Sequence, residues 1–196
     1  TNIVFVGRIV PNKKFEDVIA CFAAYKEKYD PTARLFLVGN YQETDTYYQY
    51  LQEYIKKCGV KDVIFPGHIA FNAILAYYKI ADLFLCMSEH EGFCVPLVEA
   101  MFFETPIVAY ASTAIPGTLG GSGVLVETKE PKMVAETMNQ VMQDAEYRSE
   151  ILKKQNERLK DFAYESIRGQ ILDEIEKVQQ SKIDKVRNQN GEEKAD

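Results

Sequence analysis

Short apolar runs alternate with longer amphipathic stretches along most of the chain. Each run is bounded by polar or turn residues, which is the pattern of a buried strand. Strands are therefore predicted at 2–6, 34–39, 62–65, 83–87 and 107–110, with a short edge strand at 124–126.

The stretches between these runs carry apolar residues at the three- and four-residue spacing of a helix face. Proline and glycine mark several of their ends, because a residue before proline disfavours helix and glycine suits a helix stop. Helices are predicted at 15–29, 44–57, 72–80, 95–103, 131–144, 147–162 and 164–186, and a loop at 112–118.

This alternation sets the fold class. Strands that alternate with helices of about ten or more residues form a parallel sheet with helices on both faces, a Rossmann-like α/β fold. Ligands of such sheets bind beyond the carboxyl ends of the strands. The sequence places several polar and glycine residues just after predicted strands, and they should collect at one edge: Arg8, Lys13, Gly39, His68 and Glu91.

The segment 88–101 carries the clearest candidate chemistry. It joins a buried strand to a helix that Pro96 opens, and helix N-termini present free N–H groups to anionic ligands. Glu91 lies in the loop and Glu99 in the helix, with seven residues between them. Glu99 has apolar neighbours on both sides, so it needs a partner or a polar ligand.

This segment, SEHEGFCVPLVEAM, resembles the E-x7-E signature of the retaining, group 1 glycosyltransferases, usually S-x-x-E-G-F-G-x-P-x-x-E-A-M. It departs from that pattern at Cys94, where glycine is common. The resemblance covers about residues 2 to 175 and implies one half of a two-domain GT-B enzyme, the carboxyl-terminal half that binds the nucleotide-sugar.

The resemblance also implies roles for individual residues. Glu99 would accept hydrogen bonds from the ribose hydroxyls, since a carboxylate suits a vicinal diol, and Glu91 would act in catalysis at the donor sugar. The remaining donor contacts implied are the backbone of Gly92, Phe93 and Cys94, and the nucleobase loop with His68 and Ile69.

The first strand and its exit loop resemble a second motif of the family, G-R-[LI]-x-x-x-K, in the string FVGRIVPNK that ends at Lys13. By this resemblance Gly7 lies at the donor, and Arg8 and Lys13 hold its phosphates. Cations at this place stabilise the leaving diphosphate most in the transition state. Lys14 stands where the family often has glycine, so either lysine is a candidate, and Lys13 is favoured.

Composition removes several alternatives. A net charge of −6 argues against nucleic acid as a partner, because no basic excess is present to neutralise phosphates. The four cysteines, Cys21, Cys58, Cys86 and Cys94, form no C-x-x-C pair, so we expect reduced thiols in an apolar setting and no metal site. No tightly bound cofactor is expected, and the family resemblance implies a nucleoside-diphosphate sugar, on UDP or GDP, as the ligand.

The chain opens at Thr1 within a strand, so we expect a piece of a longer protein. No run approaches the roughly 18 apolar residues of a membrane span, and we expect a cytoplasmic enzyme. The missing amino-terminal half would bind a glycan or lipid-linked acceptor, and any peripheral contact with the membrane would come through it. Residues 1–187 are predicted to be the donor-binding domain and 188–196 a disordered tail. An apolar stripe in the last helix would be exposed in the fragment and favour self-association.

Two other functions stay open on the sequence alone. One is a non-catalytic nucleotide-binding module, which would not require the full set of four residues. That set consists of Arg8, Lys13, Glu91 and Glu99. The other is a different GT-B enzyme, such as a sugar epimerase or a phosphorylase, and a phosphorylase would carry a lysine-linked pyridoxal cofactor. The leading hypothesis is a retaining hexosyltransferase that uses mannose or glucose.

Overall fold

The computed structural model describes residues 1–192, and of residue 71 and residues 183–192 the backbone alone. Six parallel strands form one sheet in the order β3-β2-β1-β4-β5-β6, with helices on both faces, which confirms the predicted Rossmann-like class. The strands are β1 (Asn2–Val6), β2 (Arg34–Val38), β3 (Val63–Ile64), β4 (Leu83–Cys86), β5 (Ile107–Tyr110) and β6 (Val124–Val126).

The register brings β1 between β2 and β4. Asn2 pairs with Arg34 and Val6 with Val38, while Ile3 pairs with Leu83 on the other side. The chain moves outward from β1 to β3 and then returns to place β4 beside β1. The exit loops of β1 and β4 are therefore neighbours at the point where the strand order reverses.

Eight helices connect and follow the strands in the described part of the chain. They are α1 (Phe15–Lys28), α2 (Thr46–Cys58), α3 (Phe71–Ile80), α4 (Val95–Phe102), α5 (Ile115–Leu119), α6 (Pro131–Gln143), α7 (Ala145–Leu159) and α8 (Tyr164–Glu192). Short 3-10 turns at Pro11–Lys13 and Lys160–Phe162 complete them.

The sheet is the centre of the core. Its four inner strands are almost wholly buried, which is the near-continuous apolar pattern of strands covered on both faces. The buried side of helix α1 includes Phe15 and Phe22. The ring of Phe5 in β1 contacts the rings of Phe15 in α1 and Phe84 in β4. This packing fixes β1 and β4, the two strands that carry the candidate site.

Two local expectations were wrong. The segment 112–118 is not a simple loop, because α5 begins at Ile115 and ends at Leu119 with Gly120 in a left-handed conformation. Cys58, expected in an apolar setting with the other cysteines, is exposed at the end of α2, so it is not a core thiol.

The chain divides into two compact units, Thr1–Arg158 and the part from Leu159 onward. The second unit contains α8, whose apolar side chains Ile167, Ile171, Ile175 and Val178 are exposed. Self-association through them stays a prediction, as does the domain boundary at residue 187. The predicted tail 188–196 falls partly within α8 and ends in residues 193–196, outside the described residues. No described helix is both long enough and apolar enough to cross a membrane.

Candidate donor site

The exit loops of β1 and β4 are joined to each other by backbone and side-chain hydrogen bonds. Asn12 accepts a hydrogen bond from the backbone N–H of Glu89 at 3.0 Å through its carbonyl oxygen. Its side-chain Nδ2 donates to the carbonyl of His90 at 3.1 Å. These bonds hold the 3-10 turn that presents Lys13 against the loop that presents Glu91.

Lys13 and Glu91 form the central ion pair of this edge. Lys13 Nζ lies 2.6 Å from Glu91 Oε1, and the Glu91 side chain is only 6% exposed. A carboxylate at this depth requires such a partner, because an unpaired buried charge costs several kcal/mol. Two residues separated by 78 positions in the chain, both predicted to be catalytic, are thus in direct contact.

The exit of β5 supports the same loop from the other side. Glu91 donates its backbone N–H to Thr113 Oγ1 at 2.9 Å, and that hydroxyl donates back to the Glu91 carbonyl. Ser112 Oγ donates to the carbonyl of Ser88 at 2.6 Å, and Thr118 donates to that of Phe93. The loop from 88 to 93 is therefore fixed at three points although much of it faces solvent.

Helix α4 starts under unusual backbone geometry. Cys94, the residue before it, has φ 68 and ψ 65, the left-handed region where glycine is favoured. This conformation turns the chain sharply, and Pro96 then opens the helix where a missing N–H costs nothing. Gly92 and Phe93 lie exposed just before this turn, and their contact with a ligand stays a prediction.

Glu99 is held by a residue that the sequence did not single out. The hydroxyl of Tyr78 in α3 donates to Glu99 Oε2 at 2.7 Å. Burial and the neighbouring Glu99 carboxylate raise the pKa of the Tyr78 hydroxyl, so it stays a donor. One carboxylate oxygen is thus fixed by Tyr78, while the described residues offer no hydrogen bond to the other.

Arg8 and Lys14 differ in their surroundings. Arg8 is exposed, and its side chain has no hydrogen-bond or ion-pair partner among residues 1–192. Lys14 Nζ lies 3.6 Å from Glu16 and 3.4 Å from Glu89, so it pairs at longer range and with less buried carboxylates than Lys13 does. Arg8 is therefore available to an anion, and of the two lysines Lys13 is the one that contacts Glu91.

The exit loops of β1 and β2 pass unusually close to each other at Gly7 and Gly39. A Cβ on Gly39 would lie 1.8 Å from the carbonyl oxygen of Gly7, which is backbone that cannot yield. Next along this edge, His68 Nδ1 lies 2.8 Å from Asn40 Oδ1. No described hydrogen bond or ion pair joins His68 or Ile69 to the Lys13–Glu91 pair, so their contact with a ligand stays a prediction.

Two thiols lie beside the ion pair. The ligand atoms of Cys86, Glu91 and Cys94 all fall within 4.8 Å of one another, and all three residues are buried. A hydrogen bond from Cys94 to Cys86 lowers the pKa of Cys86 and raises that of Cys94. The sequence predicted no metal site because it has no C-x-x-C pair; the fold instead brings together two cysteines on either side of one loop.

The chain belongs to the glycosyl transferases group 1 family, whose sequence model matches residues 1–159. Mannosylfructose-phosphate synthase of Agrobacterium fabrum is 33% identical over 54% of this chain and 24% of its own length. N-acetyl-alpha-D-glucosaminyl L-malate synthase of Bacillus anthracis is 29% identical over 86% of this chain and 42% of its own length. The chain thus spans less than half of these curated relatives.

Solved structures share the fold. The C-terminal domain of a glycosyl transferase group 1 family protein (LpcC) from Francisella tularensis superposes with a TM-score of 0.70 at 27% identity, over 81% of this chain and 84% of that one. Anabaena Alr3699/HepE, in complex with UDP and glucose, superposes with a TM-score of 0.76 at 23% identity, over 90% of this chain and 48% of that one. These matches confirm the expected Rossmann-like fold of a GT-B glycosyltransferase domain.

Proposed function

We propose that this chain is the donor-binding half of a retaining hexosyltransferase. The full protein transfers a hexose from a nucleoside-diphosphate sugar to a glycan or glycolipid with retention of anomeric configuration. The observation that carries the proposal is the Lys13–Glu91 ion pair, which joins the exit loops of β1 and β4 where the strand order reverses.

Arg8 and Lys13 supply the positive charge that the reaction needs. As the bond between sugar and diphosphate breaks, negative charge develops on the leaving phosphate, and cations already in place stabilise it more than they stabilise the bound donor. Arg8 is the exposed cation on this edge without a partner among the described residues. Lys13 lies on the 3-10 turn that follows, with its ammonium on Glu91.

Glu91 is the carboxylate that we assign to the donor sugar. Its backbone is fixed by Thr113 and its side chain by Lys13, so its orientation does not depend on a mobile loop. In a retaining reaction the acceptor attacks on the face that the diphosphate leaves, and a carboxylate beside the sugar stabilises positive charge on the ring as that bond opens. Lys13 would link this carboxylate to the departing phosphate.

Glu99 is assigned to the ribose. Tyr78 holds Glu99 Oε2 and thereby orients the carboxylate, leaving Oε1 to accept from the diol. The relatives support the remaining details. The two named relatives are a mannosylfructose-phosphate synthase and an N-acetyl-alpha-D-glucosaminyl L-malate synthase, and a fold neighbour holds UDP and glucose. We therefore place a hexose on UDP or GDP in this site, with the acceptor bound by the other half.

Calorimetry on this chain tests the proposal. UDP, GDP, ADP and their hexose conjugates are titrated into the parent chain, Arg8→Ala and Glu99→Ala. Arg34→Ala and Glu104→Gln are matched controls, because each is an exposed charge of the same type away from the β1 and β4 exits. One nucleotide should bind selectively, and each test variant should weaken it roughly 10- to 100-fold, as expected for a lost charge-assisted hydrogen bond of about 1.5–3 kcal/mol.

Equal loss in the control variants, or binding that neither test variant changes, would overturn the site. A chain that binds the nucleotide but not its sugar conjugate would favour the nucleotide-binding module. The isolated chain is expected to transfer little sugar, and radiolabelled donor with a mixed glycan acceptor measures this directly.

A further inference from the structure

The thiols of Cys86 and Cys94 are not used by the proposed sugar chemistry, and they lie beside Glu91, which is. Cys86 ends β4, Cys94 immediately precedes α4, and the loop between them folds back so that both thiols face the Glu91 carboxylate. Cys86 is fully buried, and Cys94 and Glu91 are 6% and 7% exposed. We propose that these three side chains form a binding site for a thiophilic divalent metal ion of the Zn²⁺ class.

The geometry fits tetrahedral coordination. Zn–S bonds of about 2.3 Å place two sulfur ligands about 3.8 Å apart at the tetrahedral angle. The three ligand atoms already lie within 4.8 Å of one another, so shifts of about 1 Å or less would close them around an ion. Two sulfurs and one carboxylate oxygen favour zinc or cadmium over magnesium or calcium, which prefer oxygen alone.

The charges also balance. Metal binding removes one proton from each thiol to solvent, which leaves two thiolates and one carboxylate. The divalent ion and the Lys13 ammonium together cancel these three negative charges. Lys13 occupies Glu91 Oε1, and the carboxylate has a second oxygen for the metal, so the ion pair and the metal can share Glu91.

The left-handed conformation of Cys94 is a second feature that points to the thiol. At φ 68 the backbone of a residue with a Cβ is strained, and glycine at this position would avoid that strain. Ser88 Oγ lies 3.5 Å from Cys86 Sγ and would orient that ligand from behind. Cys94 and Glu91 keep a small exposed fraction whereas Cys86 has none, so an ion would enter on their side, and a water would complete the fourth position.

Cadmium absorption gives a direct test on the reduced chain. Thiolate-to-cadmium charge transfer produces an ultraviolet band, which should grow to saturation at one ion per chain. The band should be lost in Cys94→Gly and in Cys86→Ala and kept in Cys58→Ser, the control that removes the exposed thiol. Zn²⁺ calorimetry should show affinity lower by about 100-fold or more in the first two variants, beyond the loss typical of an outer-shell change.

Glu91→Gln tests the carboxylate independently of the thiols. It should weaken Zn²⁺ binding while leaving both sulfur ligands in place. The proposal is overturned if the parent chain gives no saturating band. It is equally overturned if the band disappears in Cys58→Ser but persists in Cys94→Gly, which would assign the metal to the exposed cysteine. None of these readings depends on sugar transfer, so they separate the metal site from the proposed function.

Discussion

Lys13 and Lys14 are adjacent in sequence, but the carboxylates with which they form ion pairs differ in burial. Lys13 pairs with the buried Glu91, whereas Lys14 pairs at 3.4 Å or more with Glu16 and the half-exposed Glu89. Lys13→Ala should therefore lower the free energy of unfolding by about 1–3 kcal/mol, because it leaves Glu91 buried without a partner. Lys14→Ala should cost less than about 1 kcal/mol, as for other surface pairs.

Urea unfolding of both variants measures the difference in unfolding free energy. Nucleotide-sugar binding to the same two variants shows which lysine contributes to affinity. Nucleotide-sugar affinity should fall with Lys13→Ala and stay within a factor of about three with Lys14→Ala. An equal loss of affinity in both variants would show that Lys14 also reaches the phosphates and would contradict the assignment.

Tyr78 is the residue through which Glu99 is positioned. Tyr78→Phe keeps the ring, which stacks at 5.6 Å on Phe103, and removes the hydroxyl that donates to Glu99. A hydrogen bond to a charged acceptor contributes about 1.5–3 kcal/mol, and the unfolding free energy should fall by that order. Tyr77→Phe is the control, since its half-buried ring packs on Phe36.

The binding readout for Tyr78→Phe is the preference for a ribonucleotide over its 2′-deoxy form. If Tyr78 orients Glu99 toward the ribose, the variant should narrow this preference, whereas Tyr77→Phe should preserve it. A uniform loss of affinity for both nucleotides would instead assign Tyr78 a purely structural role.

At the scale of the elements, the exit loops of β1 and β2 can approach each other closely because Gly39 has no side chain. Gly39→Ala would place a methyl group 1.8 Å from the Gly7 carbonyl oxygen, so the two loops must separate. The cost should reach about 3 kcal/mol or more, at the upper end for overpacking. Gly7→Ala is the matched control, because its Cβ would meet only side chains at 3.6 Å or beyond.

Thermal unfolding compares the two glycine variants. Gly39→Ala should lower the midpoint by several degrees, while Gly7→Ala should leave it nearly unchanged. If both variants unfold at the same temperature, the close approach of the two loops does not require glycine at position 39.

The strands and the long helices could be predicted from the sequence because their apolar periodicity is strong. β5 has the predicted bounds, and β1 has them as well. α5 could not be predicted in the same way, since Ile115 to Leu119 is too short for a helical repeat to appear and proline and glycine there favour a loop. The same limit applies to the 3-10 turn that carries Lys13.

The candidate site was predictable only in part. Motif spacing singled out Arg8, Lys13, Glu91 and Glu99, but no periodicity shows that Lys13 and Glu91 touch, because that contact follows from the pairing of β1 with β4. The sequence did not single out Tyr78, because its hydroxyl on α3 meets Glu99 on α4 through a tertiary contact. The grouping of Cys86 with Cys94 depends on the left-handed turn at Cys94, which hydrophobic periodicity does not show; the one sequence signal for it is the glycine that the family motif commonly has at this position.

At the scale of the whole molecule, the core lies entirely within the first compact unit. Every buried residue of the described chain lies at or before Gln155, and the last contacts of that unit are made by Arg158 to the carbonyls of Gly117 and Thr118. A chain that ends at residue 162 keeps all of them. It should unfold cooperatively, with a midpoint within a few degrees of the parent's, and bind the same nucleotide.

A chain that ends at residue 144 is the matched control for this truncation. It loses α7, and with it the buried Ile151 and the hydrogen bond from Gln155 to the carbonyl of Thr105. Removal of a buried aliphatic side chain alone costs about 2–5 kcal/mol, a large part of the stability of a small domain. This chain should therefore unfold at a clearly lower temperature and lose nucleotide binding with it. If the chain ending at 162 is destabilised as strongly as the one ending at 144, α8 contributes to the fold of the first unit, and the donor site cannot be assigned to residues 1–158 alone.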